Sequence, residues 1–129
     1  MVFDHLDFRV DGGTVTLLGQ VNRAPLKSDA EKAVKQIPGV RSVKNEIEVL
    51  PVSAADEKLR LAEYLAIFQD ALLNQYALRA IPPIHIIVKN GAVTLEGSVA
   101  SEADKTEAFT KASGVPGVTS LTNHLQVAP

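Results

Sequence analysis

The chain has 129 residues, 46% of them apolar, with a formal charge of −2 and no cysteine. That length suits one ordinary domain or two very small ones. The near-neutral balance excludes a generic nucleic-acid binder, which carries a basic excess, and the missing cysteine excludes disulfides, thiolate nucleophiles and cysteine metal sites.

No apolar run approaches the 18 residues of a membrane span. The opening Met1-Val2-Phe3-Asp4-His5 has neither the charged nor the apolar region of a signal peptide.

Leu6, Phe8 and Val10 alternate with Asp7, Arg9 and Asp11, which predicts a half-buried strand. Asp11-Gly12-Gly13 reads as a hairpin turn, and Val15, Leu17, Gly19 and Val21 carry the return strand. Gly19 inside that strand predicts a bulge or a close backbone approach to a packed helix. Pro25 suits a first helical turn, and Leu26, Ala30, Ala33, Val34 and Ile37 follow at helical spacing. Pro38-Gly39 stops the helix. Val43, Asn45, Ile47 and Val49 then alternate as a last strand.

A further helix is predicted over about 54–73. Ser53 and Asp56 make a capping-box pattern, and Leu61, Tyr64, Leu65, Phe68 and Leu72 form the stripe expected to be buried. The pattern pauses over 74–80, and Pro82-Pro83 predicts extended chain before Ile84.

From Ile84 the first pattern is written again. An offset of 78 residues aligns 6–51 with 84–129 without a gap, and about a third of the positions are identical. Gly13, Gly19 and Gly39 fall on Gly91, Gly97 and Gly117. Asn45 falls on Asn123, and VTLLGQV on VTLEGSV. Turn residues, glycines and apolar positions all stay in step, so the chain holds two copies of one unit. Ser101 and Asp104 repeat the capping-box pattern at the second copy's later helix.

The stretches DGGTVTLLGQV and IPGVRSVKNEIEV, with KNGAVTLEGSV and VPGVTSLTNHLQV, resemble the BON domain, a small module of bacterial envelope proteins. The resemblance implies an α+β fold of two αββαβ units, 1–51 and 52–129. Each would be a small three-stranded mixed sheet with helices on one face, the first unit lacking its leading helix. Gly13, Gly19, Gly39, Asn45, Gly91, Gly97, Gly117 and Asn123 are its structural motif residues. It further implies a non-enzymatic adaptor, periplasmic or envelope-associated, that attaches to phospholipid surfaces or to envelope proteins. The alternative is a purely structural protein-interaction module that binds no lipid.

No catalytic constellation, cofactor motif or metal pattern is legible. His85 and His124 could meet across adjacent strands of the second copy; two exposed strand histidines is the reading preferred. The outward positions of the return strands carry no stacking aromatics and there is no Gly-x-x-Gly loop, so no nucleic acid is expected. Two surfaces remain as lipid or partner candidates. One is the basic set Arg23, Lys27, Lys32, Lys35 and Lys44, with Arg41 beside it, which could draw anionic phospholipid. The other is Tyr64 and Phe68, with Tyr76 beyond them, at the edge of the linking helix. Finally, the first copy's apolar face needs cover, from the linking helix or from a second chain in a homodimer.

Overall fold

The computed structural model describes residues 2–79 and 83–129. They divide into two compact units: Asp4–Pro51, and Val52–Pro129 joined by Val2 and Phe3.

In the first unit, β1 (His5–Asp11) turns into β2 (Thr14–Val21), α1 (Ala24–Lys35) follows, and the chain returns as β3 (Ser42–Asn45) and β4 (Glu48–Val49). β2 is the central strand. It pairs antiparallel with β1, and parallel with β3 and β4. β3 and β4 are one edge strand, broken at Glu46-Ile47. The break is bridged by Asn45: its Oδ1 accepts from Ile47 N (3.3 Å) while its Nδ2 donates to the Lys27 carbonyl (2.8 Å). One side chain therefore replaces a lost ladder bond and ties the edge strand to α1.

The second unit adds α2 (Ala54–Phe68) and a 3₁₀ turn (Asn74–Leu78) before repeating the plan as β5 (Ile84–Lys89), β6 (Ala92–Val99), α3 (Glu102–Ser113), β7 (Ser120–Asn123) and β8 (Gln126–Val127). The pairing repeats as well, with Ile86 opposite Leu95 where Phe8 is opposite Leu17. Asn123 repeats the Asn45 bridge, to Leu125 N (3.1 Å) and the Lys105 carbonyl (3.1 Å).

Gly19 and Gly97 are required by a close approach, but to a strand and not to a helix. Both take positive φ (114° and 122°). A Cβ on either would collide with a backbone carbonyl, that of His5 or Pro83, at the start of the paired strand. The antiparallel hairpin can close there only over a residue without a side chain.

Three expectations change. α2 ends at Phe68, not near 73, because Asp70 folds the chain into a turn: its Oδ2 accepts from Leu72 N (3.0 Å) and its carbonyl from Asn74 N (2.9 Å). The stripe Leu61, Tyr64, Leu65 and Leu72 faces outward, and the buried face is Asp56, Leu59, Arg60, Glu63, Ile67 and Phe68. The capping boxes are half formed. Ser53 and Ser101 cap their helices, accepting from Asp56 N (3.2 Å) and Asp104 N (3.1 Å). Their acidic partners are used elsewhere. Asp56 accepts from Asn90 N and Gly91 N, and Asp104 accepts from the Tyr76 hydroxyl. The Pro82-Pro83 extension begins outside the described residues.

The two units bury very different cores. The second encloses Leu59, Ile67, Phe68, Tyr76 and the inner faces of β5 and β6. The first buries only Val15, Leu17, Val21 and Ile47 as a cluster, with Leu26, Ala30 and Val34 of α1 half-buried over it. The repeat thus supplies an internal comparison at equivalent positions. Ile86→Ala removes a wholly buried side chain and should destabilise its unit by about 2–5 kcal/mol. Phe8→Ala, at the matching place on β1, should change stability by no more than about 0.5 kcal/mol. Denaturant unfolding of the full chain, with amides of each unit followed separately, checks this; equal losses would contradict the structure.

Candidate binding face

On β1 the side chains of Leu6, Phe8 and Val10 lie on the same side of the sheet as Leu17 and Val15, their neighbours on β2. That is the side α1 covers. α1 covers it only in part. Val15, Leu17 and Ile47 are buried, whereas Leu6, Phe8 and Val10 are 52%, 63% and 63% exposed. At the equivalent places Ile84, Ile86 and Val88 are all 0% exposed, since α2 packs on β5. The uncovered strip forms a groove of about 600 Å³, floored by β1 and walled by Ala30, Val34 and Ile37. Asp7 is the one ionisable residue among those lining it.

The basic residues are arranged along α1 and the edge strand of the same unit. Arg23, Lys32, Lys35, Arg41 and Lys44 are exposed and Lys27 is half-buried. They are not a bare cationic patch. Lys35 pairs with Glu31 (2.8 Å), and hydrogen bonds from Lys35 and Asn45 hold the Glu31 carboxyl below its usual range. Lys32 and Lys35 also stand in the last turn of α1, where they offset the negative end of the helix dipole.

The aromatic candidates belong to the other unit. Tyr64 is partly exposed, with its ring 6.4 Å from Phe3 and 4.9 Å from Phe68. Phe68 itself is buried. Tyr76 is buried too, contrary to a place at a lipid–water edge. Its hydroxyl donates to Asp104 and accepts from Ala100 N (2.8 Å), fastening the 3₁₀ turn to the start of α3. Burial, then the bond to Asp104, pushes the phenol above its usual pKa.

His85 and His124 do not lie on adjacent strands. Both flank β6, where Glu96 is the partner of His85 in the ladder and stands 3.2 Å from His124 Nδ1. Among the described residues, no three His, Asp or Glu side chains are grouped to hold a metal ion. No described helix is long and apolar enough to cross a membrane.

The polar residues beneath α2 were not singled out from the sequence. Arg60 is buried and donates to the Val88 carbonyl (2.8 Å) and to Glu57 (3.0 Å). Glu63 is fully buried, with neither carboxylate oxygen hydrogen-bonded. The available signal was spacing: Asp56, Leu59, Arg60, Glu63 and Ile67 recur as regularly as the leucine stripe, but three of the five are charged.

The described residues thus form two units of one plan, ββαβ in the first and αββαβ in the second, with a bare apolar strip on the first. The BON domain family model matches residues 3–51 and 66–129, and the chain belongs to that family. No curated protein matches it. Among solved structures it is similar to CdsD, a structural protein of the type III secretion system of Chlamydia trachomatis. That likeness has 16% identity over 98% of this chain and 86% of that one, with a TM-score of 0.35. A second structure, of the CdsD C-terminal domain, has 15% identity over 98% of this chain and 91% of that one, also at 0.35.

Glu63 yields a pH prediction. Burial raises its pKa from 4.5 to about 7. Between those values the unfolded chain releases a proton that the folded chain keeps, so stability falls as pH rises from about 4.5 to 7 and levels above. The full loss is on the order of 3 kcal/mol. Glu63→Gln should remove this slope and make the second unit more stable than the parent at pH 8. Urea midpoints from pH 4.5 to 8 measure both, and a parent curve with no fall over that range would contradict a buried neutral Glu63.

Proposed function

We propose that this chain is a non-enzymatic adaptor of the bacterial envelope, attaching to a protein partner through the apolar face of Asp4–Pro51. The observation that carries this reading is the exposure of Leu6, Phe8 and Val10 beside a groove, on a face that the second unit keeps buried. Contiguous exposed apolar surface of this kind marks interaction sites in soluble proteins. Membership of the family supports an envelope setting and a non-catalytic role.

Attachment to phospholipid is the second reading, supported by the basic residues of α1. It is the weaker one, since Glu31 pairs with Lys35 and none of the basic residues lines the groove. Exposed charges are also screened beyond about 8 Å at physiological salt.

A photo-crosslinking residue at position 8, introduced in the bacterium that makes the protein, tests the proposal. The expected result is a discrete protein adduct in the envelope fraction, absent when the crosslinker is placed at exposed Lys44. An adduct of twice the chain mass would make the partner a second copy. Lipid adducts alone, or vesicle co-sedimentation abolished by Lys32→Glu with Lys35→Glu, would replace the protein reading with the lipid one.

A further inference from the structure

The second unit shows how this face is closed. α2 lies along β5, and two polar anchors set its register. The Asp56 carboxylate accepts from the amides of Asn90 (2.8 Å) and Gly91 (3.0 Å) at the hairpin turn. One helical turn later, Arg60 donates to the Val88 carbonyl (2.8 Å) on the outer edge of β5. The offset of 78 places Val10 on Val88 and Gly12 on Asn90. So the first unit holds the same carbonyl and the same amide at the same end of its own uncovered strand. The turns differ in one respect: Asn90 and Gly91 both take positive φ (51° and 82°), while in the first turn Gly12 alone does (62°). The second amide is therefore set differently, and Gly12 is the one equivalent donor.

We propose that the groove of Asp4–Pro51 receives an amphipathic helix from a partner polypeptide, docked as α2 docks on the second unit. A carboxylate of that helix takes the Gly12 amide, and an arginine four residues later takes the Val10 carbonyl. Apolar residues three and eleven positions after the carboxylate take the places that Leu59 and Ile67 hold in the core of the second unit. The inference rests on reading this face as a protein-binding surface, and it adds the chemistry of the partner.

The shape of the groove and its apolar lining select this occupant. The groove has a β1 floor and an α1 wall, so a cylinder fits it, whereas the same groove of a second copy would set two hollows together. Apart from Asp7, whose Oδ1 accepts from Phe8 N (2.8 Å), the lining carries no ionisable residue, which suits the apolar anchors of a helix better than a charged lipid headgroup. The residues leading into β1 are engaged in the other unit: the Val2 carbonyl accepts from Ile86 N (2.7 Å), and Phe3 packs on Tyr64. Helix-in-groove recognition of this type is read through apolar anchors at i, i+3, i+4 and i+7 spacings.

The test uses the full chain, isotope-labelled, and a synthetic peptide of residues 53–69 as the probe, because that sequence carries the required pattern. Amide shifts are expected at Leu6, Phe8, Val10 and Gly12. Val10→Lys in the full chain should remove them with the melting curve unchanged, since Val10 is exposed. A peptide carrying Arg60→Ala should bind about tenfold more weakly, the loss of one charge-assisted hydrogen bond. Shifts confined to Ile84, Ile86 and Val88 would mean that the peptide only exchanges with α2, and would overturn the proposal. So would no shifts, or equal binding by the Arg60→Ala peptide. A dimer in light scattering that Val10→Lys abolishes would give the groove to a second copy and also overturn it. A protein adduct from position 8 together with a failed titration would remove the helix while leaving the adaptor reading in place.

Discussion

A helix is about 10 Å across and strands lie about 4.8 Å apart, so one helix covers about two strands of a sheet. Each unit of this chain has three strand positions, with β2 or β6 in the middle. Each is therefore one helix short until a second arrives. The second unit has that helix in α2, and the inner face of β5 is sealed. The first has only α1, and β1 is left bare on the side that should be inside. Nearly every difference between the units follows from that count: the size of the core, the exposure of matched residues, and the presence of a groove.

α2 is also not a simple apolar lid. Its buried face carries Asp56, Arg60 and Glu63 among Leu59 and Ile67. Asp56 and Arg60 bind backbone groups of the hairpin, so they fix where the helix lies along β5 as well as holding it there. Leucines alone would permit sliding by a turn. Glu63 has no such partner, and its burial raises its pKa. Its position opposes stability at neutral pH, since a buried unpaired carboxylate is more costly than an exposed one. The residues that fix the register and the one that opposes stability thus share the same helix face.

The duplication, the hairpins and the Pro-Gly stops after α1 and α3 are legible because glycines, prolines and alternation mark them directly. Asn45 and Asn123 were visible as repeated residues, but their bridge across a broken edge strand was not, since it needs a helix carbonyl contributed from 18 residues away. The orientation of α2 departs from the sequence pattern for a definite reason. Leu61, Tyr64, Leu65 and Leu72 make the more apolar stripe, and hydropathy prefers it. The structure prefers the stripe whose charged members find backbone partners on β5, which no local pattern reveals. Gly19 and Gly97 are legible as points of close approach, while the approaching backbone comes from the paired strand. The need for cover over β1 was readable as a deficit, and the exposure of Leu6, Phe8 and Val10 gives that deficit its location.

A half-open unit has a further consequence for energetics. α1 has no fully buried residue, and the first unit's buried cluster is small. Such a unit sits near the lower limit of what a small domain can bury. Whatever fills the groove binds the folded unit and not the unfolded chain, so its free energy of binding adds to folding as RT ln(1 + [L]/Kd). At a hundredfold excess over Kd that is about 2.7 kcal/mol, a large share of the stability expected of a domain this small. The partner and the fold are then linked. The second unit is complete with its own helix, while the first gains stability in proportion to its occupancy. On the proposed reading, the complete copy is the fixed support and the half-open copy is the one that responds to a partner.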